Sequence, residues 1–575
     1  MCTTRLKPLH IYIPYSLVIC KFLFLPRIIM CIFPISQLQR RTKHKCASVY
    51  VTIPHTSRTS WYLLFLHDID RPSLNHVSFL SSLQIFWCQC KHTAFCGFNY
   101  GKMGLPVVLF VMYGYNMTLF LAVFVFLWCM YIWETYLSIR QRRKIVDTRT
   151  VPIELASVMD NDKFQKSRLY AIDRSSFGLV SGLYHMIELS VTLYFSLIPW
   201  LWYTVVNHST ILNTYVLHKF GVDMGFDKDS EIKCSVIFFL YVAVFVFFDS
   251  LPWTIYSTFV IEARHGFNKQ TFGFFIKDQI KSLLISMIIG IPIMSCLVWI
   301  IKVGGHYFYL YAFLFTVVVT VFLMFVYPEF IAPLFDRYEP LPDGSLKTKI
   351  ETLAASIKFP LKKLLVVEGS RRSAHSNAYF YGFGKNKRIV IFDTLIRGFK
   401  FPNKNEDLAK QETKNDSDQR GCAVDEEILS VIAHELGHWK LGHTIYNLFI
   451  GKANLLMLFV IFGLLMDVDD LFISFGFKSD DTPIILRLFI IFQYIFSPYN
   501  TVMDFLMTVL SRKFEFQADA FAAKLGYKQY LKSALVILLK DNLSFPVCDW
   551  LYSMFNHSHP PLLERLSAID KCKSD

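Results

Sequence analysis

Seven long apolar runs constrain this chain more than any other feature. They fall at about Leu105–Leu137, Gly182–Val206, Cys234–Val260, Leu283–Ile301, Tyr307–Leu334, Leu448–Met466 and Pro483–Leu510. A hydrocarbon layer about 30 Å thick is crossed by roughly 20 helical residues, so each run is long enough to span it. In lipid only a helix or a closed barrel satisfies its own backbone, and runs of this length predict seven transmembrane helices. The composition agrees: of 575 residues, 53% are hydrophobic and 18% charged, where a soluble domain carries about 25% charged. A soluble cytosolic enzyme and a disordered chain are both excluded.

The formal net charge of +14 invites a nucleic-acid reading, and its distribution removes it. Residues 1–105 hold twelve Lys and Arg against two acids, and seven of the thirteen cysteines also lie there. The remaining excess is that of an ordinary membrane protein, and no nucleic-acid partner is expected. The other six cysteines are too scattered for a disulfide framework or a Cys-based zinc site. Within 1–104, Lys21 and Arg27 interrupt the apolar stretches and no clean signal peptide appears. This segment carries no recognisable chemistry. It reads as a dispensable extension or a gene-model artefact, with Met103-Gly104 as an alternative start.

Loop charge sets the orientation. Span 1 is followed by Arg140, Arg142, Arg143 and Lys144, and loop 261–282 carries Arg264, Lys269, Lys277 and Lys281. The intervening loops are poor in Lys and Arg, Lys302 and Lys478 standing alone in theirs. Positive charge marks the cytosolic side. The segments 138–181, 261–282 and 335–447 and the C-terminus are therefore expected in the cytosol. Asp249, Lys452, Asn454, Arg487, Gln493, Asn500 and Asp504 lie within or beside apolar runs. Such groups face a partner or a water-filled cavity, since lipid would cost them several kcal/mol. Taken singly, each is explained by an interhelical hydrogen bond; together they suggest a polar interior between helices.

The chemistry concentrates in His434-Glu435-Leu-Gly-His438-Trp-Lys-Leu-Gly-His443. Asp425-Glu426-Glu427 suit a helix N-terminus, and Ile428, Leu429 and Ile432 have helical spacing. His434 and His438, at i and i+4, share a helix face and can reach one zinc ion. Glu435 can take a proton from the water that such an ion activates. His443 falls on the wrong face for a third ligand and reads as structural or supporting. No His-x-x-Gly-x-x-His continuation follows, so the third ligand must come from elsewhere. Past span 7, Glu515 and Asp519 are again i and i+4. One can bind metal while the other orients an imidazole; alternatively Glu515 pairs with Arg512 or Lys513 on a solvated face.

These two motifs and the seven spans resemble the type I CAAX prenyl proteases, zinc endoproteases of the endoplasmic reticulum and inner nuclear membrane. His265-Gly-Phe-Asn268, Ser373-Ala-His-Ser-Asn377-Ala-Tyr-Phe-Tyr-Gly382, Phe496-Ser-Pro-Tyr-Asn500 and His559-Pro-Pro-Leu-Leu-Glu-Arg565 match as well, and the resemblance covers roughly 116–575. It implies one Zn2+ per chain held by His434, His438 and Glu515, with Glu435 as base and Asp519 in support. The implied fold is an all-α multi-pass membrane protein whose seven helices enclose a chamber. A cytosolic gluzincin-like metalloprotease domain with a small β-hairpin or sheet accompanies it. The implied activity is removal of the last three residues of farnesylated CAAX proteins, with a second upstream cut on prelamin A-like or pheromone-like substrates. Prenylated substrates and membrane lipid are then the partners, and the site opens to the cytosol or nucleoplasm.

The expected division is an extension (1–104), helices one to five (105–335), the protease domain with the zinc helix (336–447), helices six and seven (448–510), and a C-terminal segment with the third ligand (511–575). Asn377–Gly382 and Arg388–Phe392 flank Gly384–Lys387 as a hairpin. Its edge could hold an extended peptide by main-chain bonds, with Asn377 the candidate for substrate contact, or it is a structural sheet under the zinc helix. His559 and Arg565 are candidates for stabilising an oxyanion; alternatively Arg565 pairs with a carboxylate and holds the tail. The polar run 403–420 reads as a flexible loop. Two other functions use the same residues: a quality-control metalloprotease clearing misfolded or translocon-clogging proteins, and a metal-binding transporter or channel that hydrolyses nothing. Glu435 beside the histidine pair favours catalysis.

Overall fold

The computed structural model describes residues 106–212, 230–382, 384–401, 420–478 and 482–572, with backbone alone for 106–117 and Leu212. The extension 1–104 and the run 403–419 lie outside these residues. Leu119–Asp575 belongs to one compact unit, and of the second, Ala47–Thr118, only the closing helical turns are described.

The first half is helical: α1 Pro106–Asp147, α2 Asn161–Tyr194, α3 Leu197–Leu212, α4 Glu231–Ile255, α5 Phe272–Val303 and α6 Phe308–Val326. Local chemistry starts two of them. The Asp160 carboxylate accepts the Lys163 amide of α2 at 2.8 Å, and Thr271 Oγ1 accepts the Phe274 amide of α5 at 3.4 Å. Helices α4 and α6 run on into π-helical turns, Tyr256–Glu262 and Tyr327–Ile331. Helix α7 Ser345–Ser356 lies between the first two strands of the protease sheet, and after the sheet come α8 Asp425–Lys440, α9 His443–Leu465, α10 Ile484–Ile490 and α11 Ser497–Ala522. The chain ends with α12 Lys528–Asp541, α13 Trp550–Asn556 and α14 Leu562–Lys571.

Among the described residues five helices are long and apolar enough to cross a membrane, and six if α2 and α3 count as one span. Those two meet at a 65° bend, where Ser196 takes a φ of 50°. The seventh expected span is broken rather than continuous. Ile484–Ile495 is a short apolar helix, Phe496 leaves helical geometry with a ψ of 2°, and Pro498 opens α11, where its missing N–H costs nothing. Phe238, Val298, Phe459, Phe462, Ile490 and Tyr494 form the core between these helices. Ile132, Phe248, Ile288, Phe322, Phe449 and Leu464 are exposed on their outer faces, as a lipid-facing surface requires.

The protease half packs helices against a four-stranded sheet of order β1-β2-β4-β3, with β1 Tyr338–Pro340, β2 Leu361–Val367, β3 Ala378–Tyr381 and β4 Lys387–Phe392. Strands β2 and β4 are parallel, and β3–β4 is the antiparallel hairpin expected from sequence. Gly382 turns it with a φ of 107°; a Cβ there would stand 2.1 Å from the Asn386 carbonyl oxygen, so only glycine fits. Ile350, Val366, Ile391, Leu395, Ile432, Leu436, Leu531 and Ile569 make one core from sheet and helices. Helix α8 lies inside it, with Ser430, Val431, Ile432, Ala433 and His434 all buried.

Ion pairs tie together the loops that the charge rule places on one side. Arg140 pairs with Asp549 at 2.9 Å, Arg264 with Asp173 at 2.7 Å, and Arg372 with Asp278 and Asp336. On the opposite side Glu231 accepts the Ile484 amide at 2.6 Å and lies 3.4 Å from Lys302 Nζ.

Candidate active site

Two helices make the site by crossing closely. Helix α8 packs along α11, and Gly437 stands at the crossing: a Cβ there would come within 3.2 Å of Ala518 Cα and 3.1 Å of the Phe521 ring. The small residues Gly437, Ala518 and Ala522 thus bring His434 and His438 level with Glu515 and Asp519. At its N-terminus α8 is held by Glu427, whose carboxylate accepts the Ala423 amide at 3.1 Å and the Ser533 hydroxyl at 2.6 Å.

His434 Nε2 and His438 Nε2 face one another at 3.2 Å. Glu515 Oε2 lies 3.6 Å from the first and Glu515 Oε1 3.4 Å from the second. Both Glu515 oxygens are buried with no hydrogen bond of good geometry among the described residues. His434 Nδ1–H donates to Asp519 Oδ1 at 2.7 Å, which turns the lone pair of His434 Nε2 toward His438. Behind His438, its Nδ1–H donates to His443 Nδ1 at 3.0 Å, and His443 Nε2–H to Gln517 Oε1 at 3.1 Å. His443 also stacks on Phe514, with ring centroids 4.1 Å apart. With both Nδ1 protons spent this way, two imidazole lone pairs and a carboxylate converge on one point, and that needs a cation. Ligands about 2.0–2.1 Å from a tetrahedral ion stand about 3.3 Å apart, which the three measured separations match. The residues fit a metal ion.

Burial decides the charges. It pushes His434 down to about 3, against the pull of Asp519, so this imidazole is neutral and able to ligate. Burial would raise the Glu515 carboxyl, yet His559 and His438 hold it well below the usual carboxylate range. It raises Glu435, with Glu515 adding to the effect and His438 opposing it. A carboxylate so raised is a better proton acceptor than a surface glutamate.

The expected residues divide clearly. His434, His438, Glu515 and Asp519 come together, and His559 joins them with Nδ1 2.8 Å from Glu515 Oε2. Arg565 is fully buried and grips Asp519 with two bonds, Nε to Oδ2 at 2.7 Å and Nη2 to Oδ1 at 2.5 Å. That favours the tail-holding reading of Arg565 over the oxyanion one. Its Nη1 remains 3.7 Å from Glu515 Oε2. Asn377 stands at the head of β3, its side-chain oxygen accepting the Ala378 amide at 2.9 Å and its carbonyl the Phe392 amide at 3.0 Å. Edge strand β3 runs beside α8. Sequence reasoning gave no role to Gly437, Phe514 or Gln517, although Gly437 lies between the two histidines, Gln517 between Glu515 and Asp519, and Phe514 directly before Glu515.

Comparison with known proteins decides the family. Residues 141–337 match the family described as CAAX prenyl protease N-terminal, five membrane helices, and residues 340–573 match peptidase family M48. The chain belongs to the M48 CAAX prenyl protease family. It is similar to CAAX prenyl protease 1 homologs from Taenia solium, 56% identical over 80% of this chain and 97% of the relative, and from Homo sapiens, 50% identical over 79% and 96%. The crystal structure of S. mikatae Ste24p superposes with a TM-score of 0.65 at 34% identity, covering 79% of this chain and 99% of that one. As an M48 member the chain is a multi-pass membrane metallopeptidase, and the reading as a transporter that hydrolyses nothing has no further support.

Proposed function

We propose that this protein is a zinc endopeptidase that removes the three C-terminal residues of farnesylated CAAX proteins in the endoplasmic reticulum and inner nuclear membranes. The carrying observation is the His434–His438–Glu515 donor set with Glu435 beside it, in a chain whose relatives are named CAAX prenyl proteases. His434, His438 and Glu515 would hold the ion. When bound, zinc supplies a Lewis acid that polarises the scissile carbonyl and acidifies water. Glu435 accepts the proton released as water attacks and returns it to the departing amine. Asp519 fixes the His434 ring, and Arg565 fixes Asp519. His559, next to Glu515, donates to the developing oxyanion. Edge strand β3 pairs with the extended peptide, Asn377 at its head steadying the peptide backbone.

The deciding experiment is cleavage of one CAAX peptide, farnesylated and unprenylated, by the purified protein in detergent or vesicles. Release of the terminal tripeptide from the farnesylated form, at least tenfold faster than from the bare peptide, is the expected result. Equal rates on both would remove the prenyl-specific reading and leave a general membrane peptidase.

A further inference from the structure

Far along the chain from the protease motifs, three ionisable side chains meet between α2 and α4. His185 and Glu188 are one turn apart on α2, with His185 Nδ1 3.2 Å from Glu188 Oε2. Asp249 faces them from α4, and one ligand atom from each of the three lies within 4.8 Å of the others. Tyr184 donates its hydroxyl to Asp249 Oδ1 at 2.7 Å. Asp249 Oδ2 is buried and has no hydrogen-bond partner among the described residues. The Trp253 ring closes the group, 5.7 Å from the His185 ring and 5.0 Å from Tyr184.

The charge balance at this place is unusual. Both helices belong to segments apolar enough to cross the membrane, and His185 is 8% exposed. Among the described residues no Lys or Arg nitrogen lies within ion-pairing distance of Glu188 or Asp249; the one ion-pair partner is His185 itself. Two carboxylates in such surroundings cost several kcal/mol each unless a cation joins them. An imidazole and two carboxylates suit a divalent first-row transition metal better than magnesium or calcium, which prefer oxygen alone. Tyr184 stands to Asp249 as Asp519 stands to His434, a hydrogen bond from behind that aims the other atom forward.

We propose that His185, Glu188 and Asp249 form a second metal site within the membrane helices, taking Zn2+ or Mn2+, with Tyr184 orienting Asp249. It is independent of the protease site and does not rest on the reading of its substrate.

The test counts metal in the full-length purified protein, stripped with chelator, loaded with Zn2+ and measured by elemental analysis. The unmodified chain is expected to hold about two ions and His434→Ala/His438→Ala about one. Adding Asp249→Asn to that double variant should bring the count to about zero, with the same elution volume and unfolding midpoint showing that the fold persists. Tyr184→Phe in the double-variant background should weaken Zn2+ binding about 10-fold, since it removes an orienting bond and no ligand. Mn2+ electron paramagnetic resonance on the double variant should show a bound spectrum that Glu188→Gln abolishes. If the double variant holds no metal, the proposal falls. If it holds metal that Asp249→Asn and Glu188→Gln leave in place, the ion sits elsewhere and the proposal falls equally.

Discussion

Gly437 and Ala518 touch where the two site helices cross, and a single Cβ on Gly437 would stand 3.2 Å from Ala518 Cα and 3.3 Å from its carbonyl oxygen. Both imidazoles lie on one side of this contact and both carboxylates on the other, so the crossing distance sets the separation of the ligands. Gly437→Val should push the helices apart, lower zinc affinity at least tenfold and reduce peptidase activity in step. Gly437→Ala should do less, because gained helix propensity of about 1 kcal/mol offsets part of the crowding. Equilibrium zinc titration with parallel activity assays checks this, and a fully active valine variant would show that the crossing does not control the site.

Glu435→Gln is expected to keep its zinc and lose hydrolysis to below a few per cent of the parent. The amide has nearly the carboxylate's shape but cannot accept the proton. Elemental analysis beside a tripeptide-release assay separates the two effects. Normal turnover would move the base elsewhere.

Glu515→Ala should lose the protease-site ion and activity, whereas His443→Phe should keep the stack on Phe514 and forfeit the bonds to His438 and Gln517. The expected signature is an occupancy below about one tenth for the first and a 10–100-fold weaker zinc affinity for the second. Full occupancy in Glu515→Ala would exclude it as a ligand.

How much of this was open to sequence reading follows from the range of the interactions. The i, i+4 pairs His434/His438 and Glu515/Asp519 lie within single helices, so periodicity alone puts them on shared faces. Gln517 had no partner in the sequence reading and Arg565 only an unnamed carboxylate, because their partners are 74 and 46 residues away in the chain. The bend in span 2 was not legible either. Gly182–Val206 is evenly apolar, and the turn at Ser196 depends on distant Gly476, where a Cβ would meet Ser196 Oγ at 2.5 Å. His185 and Glu188 escaped notice for the same reason: at the edge of an apolar run they resemble interfacial residues until Asp249 is brought against them.

Arg565→Met should destabilise the metal-free protein by about 3–5 kcal/mol, since it leaves the buried Asp519 carboxylate without its guanidinium. Asp519→Asn in the same chain should recover part of that loss, because the orphaned charge is gone. In the parent, burial raises Asp519 but Arg565 and His434 outweigh it and hold the group down at about 2. A lowered carboxylate stabilises the fold above its unfolded value near 3.9 and loses that contribution as pH falls toward 2. Stability measured from pH 5 to pH 2 should therefore drop by about 2–3 kcal/mol more in the parent than in Asp519→Asn. Parallel curves would assign the pair no electrostatic role.

The Arg140–Lys144 cluster places the loop after span 1 in the cytosol by the positive-inside rule. Arg140 pairs with Asp549 of the C-terminal segment, Asp173 with Arg264, and Asp278 with Arg372 of the protease half. Four segments expected on one side are thus physically joined. Glu231, bonded to the Ile484 amide and beside Lys302, joins loops expected on the other. Thr352, exposed on α7, and Thr210, exposed near the end of α3, report the two sides. In a cysteine-free background and sealed microsomes, Thr352→Cys should react with an impermeant thiol reagent at once. Thr210→Cys should react only after the membrane is opened. A farnesylated substrate made in the cytosol can reach the site only in that arrangement. Protection of Thr352→Cys in intact vesicles would invert the topology and with it the cytosolic assignment of the substrate.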